Sequence, residues 1–195
     1  MRRDLLTSLL AVVVLTVALG LAYPLAITAV AQVVFPGAAD GSKVSFDGRV
    51  VGSELIGQEF EGRAYFHPRP SATEYSADVT FFGNAGPNSA ELRDTIEEEL
   101  AAYLKRERPY DRSLTREGVP VDAVTESASG VDPHISEANA RIQAHRVAAV
   151  RGLSLERVGE LIADHTDGRS LGVFGEPGVN VLRLNIALEE EAPQR

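Results

Sequence analysis

The chain has no cysteine among its 195 residues. That excludes disulfides, thiolate zinc sites and a cysteine nucleophile. It also lacks any charged residue between Asp4 and Asp40. Nowhere do Lys and Arg form a run dense enough to neutralise a row of phosphates, and the net charge is −9, so nucleic-acid binding is not expected. An acidic surface is also repelled by anionic lipid headgroups. The motifs H-E-x-x-H, G-x-x-x-x-G-K-[ST] and G-x-S-x-G are absent, and His67, His134, His145 and His165 show no metal-ligand spacing.

What is present divides in two. Residues 5–34 are almost unbroken apolar sequence. A hydrocarbon core of about 30 Å needs roughly 20 helical residues. In lipid every backbone polar group must pair within the segment, so a helix is the expected form. Pro24 removes one ladder bond and predicts a kink or axis shift. Ala29-Val30-Ala31 fits a small-x-small cleavage pattern, but the apolar stretch is about twice the usual 7–15 residue signal core, which favours a retained anchor. Arg2 and Arg3 orient it by the positive-inside rule: N-terminus in the cytoplasm, the remainder outside. The expected organisation is residues 1–8 cytoplasmic, 9–31 transmembrane helix, 32–42 linker, 43–188 an extracytoplasmic domain and 189–195 an acidic, frayed tail.

The domain reads as α+β. Asp47-Gly48 between alternating runs predicts a hairpin over residues 43–56. Residues 71–89 read as a long irregular segment. Leu92, Ile96, Leu100, Tyr103 and Leu104 place a helix over 88–106, stopped by Arg108-Pro109. Residues 119–124 read as extended. A second helix is expected over 136–151, with Ser136 as N-cap, an Ala140, Ala144, Val147, Ala148 stripe and Gly152 at its end. A third runs from Ser154 to about Asp167-Gly168. Residues 179–188 read as a strand.

Four stretches then resemble one family. Gly52-Ser53-Glu54-Leu55-Ile56-Gly57-Gln58-Glu59-Phe60 is similar to its G-S-x-L-I-G-Q-x-F, and Tyr65-Phe66-His67-Pro68-Arg69-Pro70-Ser71-Ala72 to its Y-F-x-x-R-P-S-A. Ser129-Gly130-Val131-Asp132-Pro133-His134-Ile135-Ser136, following Val124-Thr125, is similar to V-T-x-S-x-S-G-L-D-P-H-I-S. Gly175-Glu176-Pro177-Gly178-Val179-Asn180-Val181-Leu182-Arg183-Leu184-Asn185 is similar to G-E-P-x-V-N-V-L-x-L-N. Together, in that order behind one anchor, they resemble the C subunit of the bacterial potassium-transporting (Kdp) P-type ATPase. The chain departs from the pattern at Asp78-Val79-Thr80-Phe81-Phe82, where the family has a glycine-serine stretch, and at Ala128, where a glycine is usual.

The resemblance implies a non-pumping subunit of an ATP-driven potassium uptake complex in the cell membrane. Its partners would be a pore-like potassium-binding subunit and a separate ATP-hydrolysing subunit; the phosphorylation motif D-K-T-G-T is absent here. It further implies help in assembly and a catalytic-chaperone effect that raises the ATP affinity of the hydrolysing subunit. No tightly bound cofactor is expected, and ATP only through the complex.

Candidate partner or nucleotide contacts are Gln58, Arg69, Ser71, Asp132, His134 and Asn180. For Arg69 two readings stand: a fork for an anion or a partner carboxylate, or an internal salt bridge. Gln58 reads as a contact or a turn residue. Asn180 and Asn185, unfavourable in a strand, predict side-chain bonds that fix neighbouring loops. Asp132 and Ser136 are expected to cap the helix, with Pro133 in its first turn. The alternative is a membrane-anchored extracytoplasmic hydrolase using Ser129, Asp132 and His134, although triad members usually come from distant segments.

Overall fold

A computed structural model of the chain describes residues 2–76, 78 and 84–193. Residues 79–83, within the irregular 71–89 segment and the departure from the family pattern, lie outside the described residues.

The apolar start is helical throughout. Helix α1 (Arg2–Val17) passes through a π-helical turn (Ala18–Ala22) into α2 (Tyr23–Val34), giving a 33-residue rod with none of its apolar window buried. By length and composition the rod is a candidate membrane span. The π turn sits one turn ahead of Pro24, where the proline ring would otherwise meet the Gly20 carbonyl. Widening the turn, with the Tyr23 amide bonded to the Ala18 carbonyl, absorbs that clash. A short helix α3 (Pro36–Ala39) leads off the rod.

The hairpin forms as expected, with β1 (Lys43–Phe46) antiparallel to β2 (Arg49–Ser53). Asp47 and Gly48 both have positive φ, 49° and 75°, as a type I′ turn demands. Ser53 and Glu54 tie it back to the linker, through Ser53 Oγ to the Gly41 carbonyl at 2.8 Å and the Glu54 amide to the Ser42 carbonyl at 3.1 Å.

Among the described residues, four helices build the rest. Helix α4 (Ala90–Glu107) is capped by Ser89, α5 (Glu137–Arg151) by Ser136 and α6 (Leu155–Asp164) by Ser154, each serine accepting a bond from the amide three residues on. Gly152 ends α5 at φ 71°, a left-handed position. The sheet is small, in the order β3-β5-β4, where β3 is His134–Ile135, β4 Thr166–Asp167 and β5 Gly178–Asn180, all antiparallel.

Four expectations are corrected. Residues 181–188 are not a strand: β5 ends at Asn180 and α7 (Val181–Glu191) follows. The segment fits both periods, since Leu182, Leu184, Ile186 and Leu188 alternate while Val181, Leu184, Asn185 and Leu188 fall at helical spacing. Asn180 decides it by accepting the Arg183 amide as N-cap, and the Ala- and Glu-rich end favours helix. The acidic end is therefore not frayed from residue 189: Glu189 pairs with Arg151 at 2.6 Å and Glu191 with Arg157 at 2.7 Å. Residues 119–124 are not extended but hold a 3-10 turn (Val121–Ala123) launched by Pro120. The third helix stops at Asp164, three residues earlier than read, and Thr166 and Asp167 join the sheet.

The main core packs Phe66, Ile135, Ala144, Val147, Val158, Leu161, Val179, Leu184 and Leu188 around α5. Beside it runs a buried polar spine. Arg146 and Glu107 have fully buried side chains and pair at 3.0 Å. Arg146 also donates to the carbonyls of Arg63 at 2.6 Å and Tyr65 at 2.8 Å, and to Gln143 Oε1 at 2.9 Å. Burial lowers the Arg146 pKa from its ordinary value, and Glu107 works against that shift. Gln143 grips the backbone of His67 from both sides, accepting its amide at 2.8 Å and donating to its carbonyl at 3.0 Å. Asn139 links Tyr103 Oη and Gln143 to Asp122. Arg151, also buried, donates to the carbonyls of Ala64, Leu188 and Ala192 and lies over the Tyr65 ring at 4.9 Å.

Two predictions follow from the spine. Glu107→Gln leaves the Arg146 charge buried without its counterion, and costs about 3–5 kcal/mol by analogy with other broken buried pairs; chemical denaturation of the detergent-solubilised chain measures it. His67 is held neutral, with its pKa lowered to about 4 by burial and then by Arg106 and Arg146. Its Nε2 carries the proton, since it faces the Gly62 carbonyl at 2.8 Å. A depressed folded pKa favours the folded state above the unfolded value of about 6.5, and that contribution falls away as pH drops toward about 4. Denaturation curves of His67→Gln should therefore lose less stability than wild type between those two pH values.

Candidate functional site

The four motif stretches, distant in sequence, meet in one place. Gly57 of the first donates its amide to the Val131 carbonyl of the third at 2.7 Å. The approach is so close that a Cβ on Gly57 would fall 2.4 Å from the Asp132 carbonyl oxygen, so only glycine fits. Glu54 of the first accepts Asn180 Nδ2 of the fourth at 2.8 Å. Phe66 of the second is bonded by Asn185 of the fourth at both its amide, 2.8 Å, and its carbonyl, 2.9 Å. The second and third meet through Arg69 Nη1 to Asp132 Oδ2 at 3.0 Å, Ser71 Oγ to the Gly130 carbonyl at 2.6 Å and the Ser127 amide to the Pro70 carbonyl at 3.2 Å. The third and fourth pair as β3 and β5, and the Val181 amide reaches the Pro133 carbonyl at 3.0 Å.

Of the six candidate residues, Arg69, Asp132 and His134 line one open cleft of about 340 Å³, together with Asp122, Asp167 and Glu176. Arg69 takes the internal salt bridge, with both partner side chains about a quarter exposed. Its Nη2 adds a bond to the Glu126 carbonyl at 3.3 Å, and its Nε is buried with no partner among the described residues. His134 Nε2 meets Asp167 Oδ2 at 3.0 Å, and Arg183 Nη1 lies 3.6 Å from Asp167 Oδ1. The result is an alternating ladder of Arg69, Asp132, His134, Asp167 and Arg183 across the surface.

The other three candidates lie outside that cleft. Ser71 lines a second depression of about 500 Å³ with His67, Tyr75, Glu99 and Arg106. There Ser71 Oγ accepts the Tyr75 amide at 3.0 Å, while Tyr75 Oη donates to the Arg69 carbonyl at 2.6 Å. Gln58 folds onto its own hairpin, donating to the Val51 carbonyl at 2.9 Å, and its amide fills the space where a Gly52 side chain would stand. Asn180 and Asn185 fix neighbouring segments as expected, but from an N-cap and a helix.

Two expectations about this region change. Asp132 does not cap α5. It accepts the His134 amide at 3.0 Å in a local turn, and Pro133 precedes β3; Ser136 alone is the cap. Ser129, Asp132 and His134 form no hydrolytic chain either. Ser129 Oγ accepts the Val131 amide and approaches Ser127 Oγ, and among the described residues no hydrogen bond joins it to His134. The cleft is acidic overall, and Arg69, its one lining cation among the described residues, is already paired. That charge distribution repels phosphates.

Residues 5–190 match the family described as KdpC, the c chain of the K+-transporting ATPase. Proteins named "Potassium-transporting ATPase KdpC subunit" are similar over nearly the full length. The one from Kineococcus radiotolerans is 51% identical, covering 98% of this chain and 95% of its own. That from Mycobacterium tuberculosis is 48% identical over 97% and 99%, and that from Koribacter versatilis 46% over 99% and 97%. With the motif knot and the apolar rod both in place, the chain belongs to the KdpC family, the c chains of K+-transporting ATPases.

Proposed function

We propose that this chain is the accessory, non-pumping subunit of an ATP-driven potassium uptake complex, and that it assists the assembly and stability of that complex from outside the cytoplasm. In this reading the α1–α2 rod spans the cell membrane with Arg2 and Arg3 in the cytoplasm. The domain braces a pore-like potassium-binding subunit, and ATP is hydrolysed by another chain. The observation that carries the reading is how the motif residues are used. Arg69 pairs with Asp132 and Phe66 with Asn185, while Gly57, Ser71 and Asn180 bond the backbone of Val131, Gly130 and Glu54 in the neighbouring motif stretches. Residues used in this way hold a shape for a partner.

A domain outside cannot touch cytosolic ATP across about 30 Å of hydrocarbon. The chaperone effect on ATP affinity is then a coupling free energy passed through helix contacts. Such couplings are typically about 1–3 kcal/mol, or roughly 5–150-fold in affinity. The rod, almost entirely apolar over residues 5–34 and with no buried residue, is the surface available for it. Nucleotide is not bound by the domain in this reading, in keeping with the acidic cleft.

Two measurements test this. Ser113 is exposed and the chain has no native cysteine, so Ser113→Cys should react with a membrane-impermeant maleimide in intact cells; labelling only after lysis sinks the outward orientation. ATP affinity of the complex should fall at least several-fold when this chain is left out, and an unchanged affinity removes the chaperone role.

A further inference from the structure

Residues 168–177 connect β4 to β5 and close on themselves. The Ser170 amide donates to the Phe174 carbonyl at 2.8 Å, and the Phe174 amide returns to Ser170 at 2.9 Å. The Gly172 amide reaches the Arg169 carbonyl at 3.0 Å, and Arg169 pairs with Glu176 at 2.5 Å. Below them Asp167 and Gly178 are paired in the sheet. This is a preformed tip, and its side chains point at water: Leu171 is 88% exposed, Val173 66% and Phe174 64%. A single exposed apolar residue such as Val121 needs no explanation, but three within four residues do.

The backbone adds an independent sign. Leu171 has φ 53°, the left-handed region, where a residue with a Cβ is strained. Asn, Asp or Gly would remove that cost in a loop facing only water. The tip therefore holds a residue that is unfavourable twice over in the free domain, by conformation and by exposure.

We propose that this tip is a docking plug: Leu171, Val173 and Phe174 enter an apolar socket on the extracytoplasmic face of another subunit of the complex. The inference rests on the subunit reading above. Charge favours a protein socket over lipid. Membrane-inserting loops set free Lys or Arg beside their apolar residues, whereas the one basic residue of 168–177, Arg169, is paired with Glu176, and Asp167 at the base of the tip engages His134 and Arg183. The small contact area is no obstacle. The rod holds the domain beside its partner at high effective concentration, so a few anchors suffice. Because the tip is already closed by its own main-chain bonds, docking orders little that was free.

The test uses the full chain, tagged and co-expressed with the other subunits of its K+-transporting ATPase, then extracted in mild detergent. Wild type should bring down the larger chains, and Leu171→Asn/Phe174→Ser roughly tenfold less of them. Leu171→Asn alone should leave the melting temperature of the uncomplexed chain unchanged or raised, which separates docking from folding. A photoreactive benzophenone amino acid in place of Phe174 should crosslink to a larger subunit. Equal recovery of the double variant, or crosslinks to lipid alone, overturns the plug while leaving the subunit reading intact. If wild type itself recovers no larger chain, the subunit reading falls and the plug with it.

Discussion

The domain depends on one guanidinium. Arg146 sits in the middle of α5, fully buried, with Glu107 of α4 on one side and the carbonyls of Arg63 and Tyr65 on the other. Taking a charge out of water costs several kcal/mol, and only multiple well-aligned acceptors offset it. Here the acceptors come from three separate parts of the chain. Satisfying one side chain therefore fixes where α4, α5 and the irregular 63–67 segment lie relative to each other. Gln143 and Asn139 extend the same logic along the helix, clasping His67, Tyr103 and Asp122.

That fixed segment leads directly into the motif knot. The clasp on His67 is followed by Arg69 and Ser71, which reach the 127–132 turn, and that turn is held in turn by Gly57. Polar residues that resemble a reaction centre in sequence are largely consumed in joining four loops that have little regular structure of their own. A small domain with short strands has few ladder bonds to spare, so side chains supply the missing backbone partners. Membership of the KdpC family agrees with this use of the four motif stretches as scaffold for a subunit of a larger machine.

Much of this was legible in the sequence, and the remainder failed for physical reasons. The apolar N-terminal helix, the Asp47-Gly48 hairpin and the serine-capped α5 rest on local rules, and each formed. Residues 181–188 satisfy two periods at once, and the choice between them was made by Asn180, whose capping role depends on where β5 ends. Asp167 was invisible as a partner for His134 because 33 residues separate them. The spine left a signal that could have been read: Asn139, Gln143 and Arg146 lie at i, i+4 and i+7, directly beside the Ala140, Ala144 and Val147 stripe. Polar residues at core spacing, flanking an apolar face too narrow to be a whole core face, mark a buried network.

The π turn in the rod has a geometric consequence. A π turn amounts to one extra residue inside an α-helix, and one residue is about 100° of rotation. Any stripe of side chains rising along α1 is therefore displaced sideways by that amount when it resumes in α2. The two leaflets of a bilayer would meet different sides of the same helix, so neighbours gripping its lower and upper halves need not stand in line.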